Sequence, residues 1–99
     1  MTNQELLLTQ ETETKEKMSA LLIKVRLSNG IENPFIVSRE LGQSVATLRN
    51  IEKGINFPTK KTLNELMQLY MLTIEERKEL EALKNKMLQI RKQIKESRK

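Results

Sequence analysis

The side chains best suited to chemistry lie in the run SVATLRNIEK, Ser44 to Lys53, where hydroxyls, a guanidinium and a carboxamide recur over a short distance. If a helix begins after Ser44, Leu48 and Ile51 form a buried edge three residues apart, and Val45, Ala46, Arg49 and Asn50 point away from it. Arg and Asn can make paired hydrogen bonds to guanine and adenine edges, whereas Val45 and Ala46 could touch only a thymine methyl. The available chemistry is therefore recognition and not catalysis. The chain has no cysteine and no histidine, which removes disulfides, thiol redox chemistry, zinc ribbons and the usual proton shuttle near neutral pH. No catalytic residue, metal site or cofactor is expected.

The neighbouring residues say how such a helix would be held. Asn33 is a helix N-cap with Pro34 at the first helical position, where its missing N–H costs nothing. Val37 and Leu41 share an apolar face at i,i+4 spacing, and Gly42 follows where a helix ends on a left-handed residue. Ser44 can cap the next helix, and Gly54 can end it. Two short helices joined by a glycine corner are what a helix-turn-helix needs, and its second helix would lead into the major groove by its N-terminal turn.

The stretch LGQSVATLRNIEKG, followed by INFPTKKTLNELMQLY, resembles the lambdoid-repressor-like (Cro/CI, XRE-like) regulators over roughly residues 18–83. Glu52, Gly54, Pro58, Thr62 and Leu63 stand where that family's pattern puts them. Arg26 stands near the family position whose arginine pairs with the glutamate, so the resemblance implies a structural Arg26 to Glu52 ion pair. The chain departs from the pattern in SNGIEN, one residue longer than usual between the first two helices, and in Phe35 and Ile36, at positions often polar. Ser38 replaces a small Ala, Gln43 replaces an apolar residue, and Val45 and Ala46 replace a common polar pair. These departures bear on the DNA sequence that would be read more than on the fold. The candidate DNA-contacting set is Asn33, Gln43, Ser44, Val45, Ala46, Thr47, Arg49, Asn50 and Lys53, with Lys60 and Lys61 as backbone contacts.

With 37% apolar residues and three aromatics among 99 residues, the chain can bury one small core. The expected fold is all-α, a four-to-five-helix lambda-repressor-like domain with a long C-terminal amphipathic helix. Residues 1–15 are polar and acidic apart from Leu6 to Leu8 and are expected to be a flexible arm or a frayed helix. Residues 16–72 are expected to hold the helix-turn-helix domain. Its first helix carries the stripe Met18, Leu21, Leu22 and Val25 and ends near Gly30; Thr59 caps a fourth helix with Leu63, Leu66, Met67 and Tyr70 buried. Residues 73–99 open on a capping box, Thr73 with Glu76, and carry Leu80, Leu83, Met87, Ile90 and Ile94 in the a/d register of a coiled-coil seam. Such a helix would outreach a four-helix core, so these five residues are expected to bury their edge against a second subunit. The alternative is that Leu80 and Leu83 dock on the fourth helix while the rest frays.

The net charge of +5 is unevenly spread: residues 17–63 carry +5 and residues 82–99 carry +6, while residues 1–16 and 64–81 carry −3 each. Clustered cations suit a phosphate-binding surface, because displaced counterions supply the sequence-independent share of affinity. A solvated basic tail is the plainer alternative for residues 82–99. No run of about 18 apolar residues can span a bilayer, and the start of the chain lacks the basic-then-apolar order of a signal peptide, so no membrane partner and a cytoplasmic location are expected. The expected function is sequence-specific binding of duplex DNA at a palindromic site, by a homodimeric transcriptional repressor or regulator. The alternatives are an antitoxin or inhibitor module that grips a protein partner, and an accessory subunit that positions a DNA-processing enzyme.

Overall fold

The computed structural model describes residues 3–97, and within them every regular element is a helix: α1 Asn3–Ser28, α2 Pro34–Leu41, α3 Val45–Glu52, α4 Lys60–Leu69 and α5 Ile74–Ser97. The core collects one apolar stripe from each. Met18, Leu21, Leu22 and Val25 of α1 meet Val37 of α2, Leu48 and Ile51 of α3, Leu63 and Leu66 of α4, Tyr70, and Leu80 and Leu83 of α5. These are the spacings of amphipathic helices, and every one of these side chains is buried.

The helix ends follow local rules. Asn33 Oδ1 accepts from Phe35 N at 3.0 Å with Pro34 at the first helical position. Thr59 Oγ1 accepts from Thr62 N at 3.2 Å, and the Thr73–Glu76 box closes in both directions at 3.0 and 3.1 Å. Gly30 takes φ +75° just past α1. Beside it Asn29 Nδ2 donates to Val25 O and to Tyr70 O, both at 2.7 Å, which ties the end of α1 to the end of α4.

The N-terminal segment departs from expectation. Residues 3–15 are not a flexible arm: they are the first half of a continuous 26-residue helix, so the boundary expected after residue 15 falls inside α1. The added turns contain no apolar stripe of the usual kind. Thr14 is fully buried, with its hydroxyl donating to Gln10 O at 2.7 Å, so the burial leaves no unmet hydrogen bond. Thr9 and Thr12 bond back to Glu5 O and Leu8 O in the same way.

The seam departs from expectation as well. Leu80, Leu83, Met87, Ile90 and Ile94 are all at most 9% exposed within the single chain. Their partner is α1, which runs antiparallel to α5: Leu80 joins the core with Val25, while Ile94 shares a groove with Leu8 and Glu11 at the far end. A second subunit would be needed only if the first helix began near residue 16. Thirteen further residues add about 20 Å of helix at 1.5 Å each, enough to cover the distal seam. The α1/α5 pair sets the 43 Å long axis of the molecule, and the five seam residues serve the fold of one chain. No described helix is long and apolar enough to cross a membrane.

Candidate nucleic-acid interface

The geometry of α3 is set first at its N-terminal end, by the corner after α2. Gly42 adopts φ 68°, ψ 20° and donates its N–H to Ser38 O at 2.9 Å. The left-handed conformation is one that a glycine takes without a Cβ clash. The Ser38 hydroxyl donates to Gln43 O across the same corner. Ser44 then caps α3, its Oγ accepting from Thr47 N at 3.0 Å and sharing a hydroxyl–hydroxyl hydrogen bond with Thr47 at 2.6 Å. Val37 beneath, with Leu48 and Ile51 above, fills the angle between the two helices.

The C-terminal end of α3 is held by α1. Arg26 Nε donates to Glu52 Oε1 at 2.6 Å, and its Nη1 donates to Ile31 O at 2.7 Å. Both side chains of the pair are largely withdrawn from water. Ser19 Oγ donates to the Glu52 carbonyl oxygen, a second tie between α1 and α3. The Arg26 to Glu52 pair implied by the family resemblance is thus present. Tyr70, buried close by, has its phenol pKa pushed well above the ordinary value, first by loss of solvent and then by the charge of Glu52, with Arg26 opposing. After α3 the chain turns at Gly54, φ +75°, and the N–H groups of Ile55 and Asn56 both donate to Asn50 O.

An α3 fixed at both ends presents Ala46, Thr47 and Arg49 as exposed residues, with Lys53 exposed at its C-cap. Val45 and Asn50 are half-buried, at the edges of that face. Ser44 is exposed but occupied as a cap, and so is Asn33, whose side-chain oxygen serves α2. Gln43 is half-buried in the corner, where its backbone oxygen receives Ser38. Lys60 and Lys61 stand exposed in the first turn of α4, next to its Thr59 cap. The residues expected at the site therefore divide into an exposed set on α3 and α4 and a set that shapes the corner.

The electrostatics of this part of the molecule are distinctive. Among the described residues, Arg49, Lys53, Lys60 and Lys61 form no ion pair. None of α2, α3 and α4 carries an acidic residue in its first turn, whereas α1 has Glu5 and α5 has Glu75 and Glu76 there. First-turn carboxylates ordinarily offset the partial positive charge of a helix N-terminus, and lysines there oppose it by about 0.3–1 kcal/mol. Of the three middle helices, α4 alone places lysines, Lys60 and Lys61, in its carboxylate-free first turn, where an anion would offset both their charge and the helix dipole.

Two features of this surface were not legible as site residues in the sequence. Ser38 signals itself only as a small polar residue four before the corner glycine, a position from which its hydroxyl can reach the corner backbone. Arg91 of α5 lies over the α3–α4 loop, its guanidinium carbon 5.7 Å from the Phe57 ring centroid, and it borders Thr47 of α3 and Lys15 of α1 across a groove. Its only sequence signal was membership of the basic tail. Compared with protein-family models, curated proteins and solved structures, the chain finds no match, so the functional reading rests on these residues and their geometry.

Proposed function

We propose that the protein binds duplex DNA sequence-specifically, that α2, the Gly42 corner and α3 act as a helix-turn-helix, and that it serves as a transcriptional repressor or related regulator. The observation that carries this reading is α3 itself: a short helix locked at both ends, with Arg49 exposed and free of any ion pair among the described residues. Rigid support matters because base readout depends on donors held in a fixed position before DNA arrives. Arg49 and Asn50 supply base-edge hydrogen bonds, Ala46 and Val45 contact thymine methyls, and Thr47, Lys53, Lys60 and Lys61 contact phosphate. The first turns of α2, α3 and α4, free of carboxylates, favour the same polyanion.

Two copies on one site would read a palindrome with half-sites about 10 bp apart. The surface joining them would differ from the α5 seam, which α1 already covers. The test is selection of the purified protein on a randomised duplex library at about 50 mM salt, where phosphate contacts are strong. Enrichment of one motif, outcompeting scrambled duplex, is the expected result. Absence of any duplex binding under that condition would overturn the proposal, and binding without enrichment would remove its sequence-specific part.

A further inference from the structure

Arg91 is the point at which three concave surfaces of the molecule meet. A groove of 240 Å³ runs between Lys15, Thr47, Asn56, Thr59 and Arg91. A neighbouring one of 150 Å³ is bounded by Phe57, Lys60, Lys84, Leu88 and Arg91. The third takes in Leu8, Glu11, Arg91 and Lys95. On α5, Lys84, Leu88, Arg91 and Lys95 follow at spacings of four, three and four, so they form one stripe about 16 Å long. The surface is thus continuous from the exposed face of α3, through the loop before α4, to the distal half of α5.

Its charge is positive after its own carboxylates are counted. Glu11 lies 3.4 Å from Lys15 and 4.0 Å from Arg91, and Glu81 lies 3.3 Å from Lys84. Lys60 and Lys95 have no ion-pair partner among the described residues. Two carboxylates therefore face five cations. Arg91 keeps half of its side chain in solvent while Phe57 supports the other part, so its guanidinium is positioned but not consumed. The exposed Thr47 hydroxyl borders the same groove and is a phosphate-compatible donor, whereas that of Thr59 is committed to Thr62 as the α4 cap.

We infer that this groove and stripe form a second phosphate-binding surface, in which Arg91, Lys84, Lys95 and Lys60 hold the DNA backbone flanking the segment that α3 enters. The inference rests on the DNA reading of α3 and gives α5 a binding role besides its structural one. Duplex DNA is the occupant favoured here because the groove opens directly onto Thr47 of the proposed recognition helix, so one continuous polyanion can engage both. The inference also accounts for the basic stripe outside the seam: α1 covers the apolar edge of α5, and the cations lie beside it.

The experiment compares the full-length protein with the triple variant Lys84→Gln, Arg91→Gln, Lys95→Gln, on the selected duplex and on a scrambled one, over a salt series. Circular dichroism first establishes that the variant retains its helices; if the Phe57 stack proves necessary for folding, Arg91 is kept and the double variant of Lys84 and Lys95 is used instead. The slope of log affinity against log salt should become shallower by about 0.9 for each phosphate that is no longer neutralised, so by about 2.7 for three, or about 1.8 for two. Preference for the selected over the scrambled duplex should stay unchanged, because backbone contacts carry no sequence. A folded variant with the wild-type slope overturns the inference while leaving the α3 reading intact. The same result with loss of binding to polyglutamate would assign the stripe to an acidic protein instead. Failure of the wild-type protein to bind either duplex removes both readings.

Discussion

Glu52→Ala tests the device that fixes α3 to α1. Arg26 is 7% exposed, and its Nε lies 2.6 Å from Glu52 Oε1. At that separation and an effective dielectric of about 20, the gross attraction is about 6 kcal/mol, most of which offsets the desolvation of the two charges. Removing the carboxylate strands a buried guanidinium. Breaking such pairs costs about 3–5 kcal/mol, and the remaining bond from Arg26 Nη1 to Ile31 O places the expected loss near the lower end. The Ser19 bond is to the Glu52 backbone oxygen and survives the substitution. A loss of about 3 kcal/mol corresponds to a fall in Tm of about 12–24 °C for a domain of this size. Thermal and urea unfolding followed by far-UV circular dichroism gives the value. The double variant Arg26→Met with Glu52→Leu should recover most of the loss, since an apolar replacement removes both desolvation penalties. A Glu52→Ala protein that unfolds at the wild-type midpoint, or a double variant as unstable as the sum of its single changes, would refute this account of the pair.

Two further outcomes follow from the core. Ile90→Ala should destabilise the chain by about 2–5 kcal/mol, the usual cost of emptying a buried site, without changing the sedimentation coefficient of the folded protein; dissociation of an otherwise stable assembly would return the seam to a subunit interface. Tyr70, the only tyrosine, keeps its proton in the folded state to higher pH than in the unfolded chain, so the unfolded state loses that proton first. Stability should fall as pH rises past about 10, the ordinary tyrosine value, with phenolate absorbance appearing only as the helices melt. Phenolate formation at about pH 10 in a fully helical protein would contradict this burial argument.

The parts that could be read from sequence are those decided within a few residues. The caps at Asn33, Ser44, Thr59 and Thr73 and the left-handed Gly42 each depend on one side chain near its own backbone. The exposed face of α3 follows in the same way from the spacing of Leu48 and Ile51. The first half of α1 was illegible because its apolar residues, Leu6 to Leu8, form no helical stripe and its three threonines are weak helix formers, so its order depends on α5 packed alongside. Thr14 shows the difficulty: a residue that reads as polar is fully buried once its hydroxyl is bonded within its own turn. The spacing of Leu80 to Ile94 disclosed a packing seam but not its occupant. Val45 and Asn50, read as pointing outward, are half-buried at the margins. The groove around Arg91 combines residues from α1, α5 and the loop before α4, and nothing short of the tertiary fold brings those together.

The central claim is that α3 reads bases, and the most direct measurement compares Arg49→Ala and Asn50→Ala with wild type on the selected duplex and on its scrambled counterpart. Each variant should lose about 1–3 kcal/mol on the selected site, lose much less on the scrambled one, and keep the wild-type unfolding midpoint. Equal losses on both duplexes, or no loss on either, would contradict the claim that this helix carries the specificity.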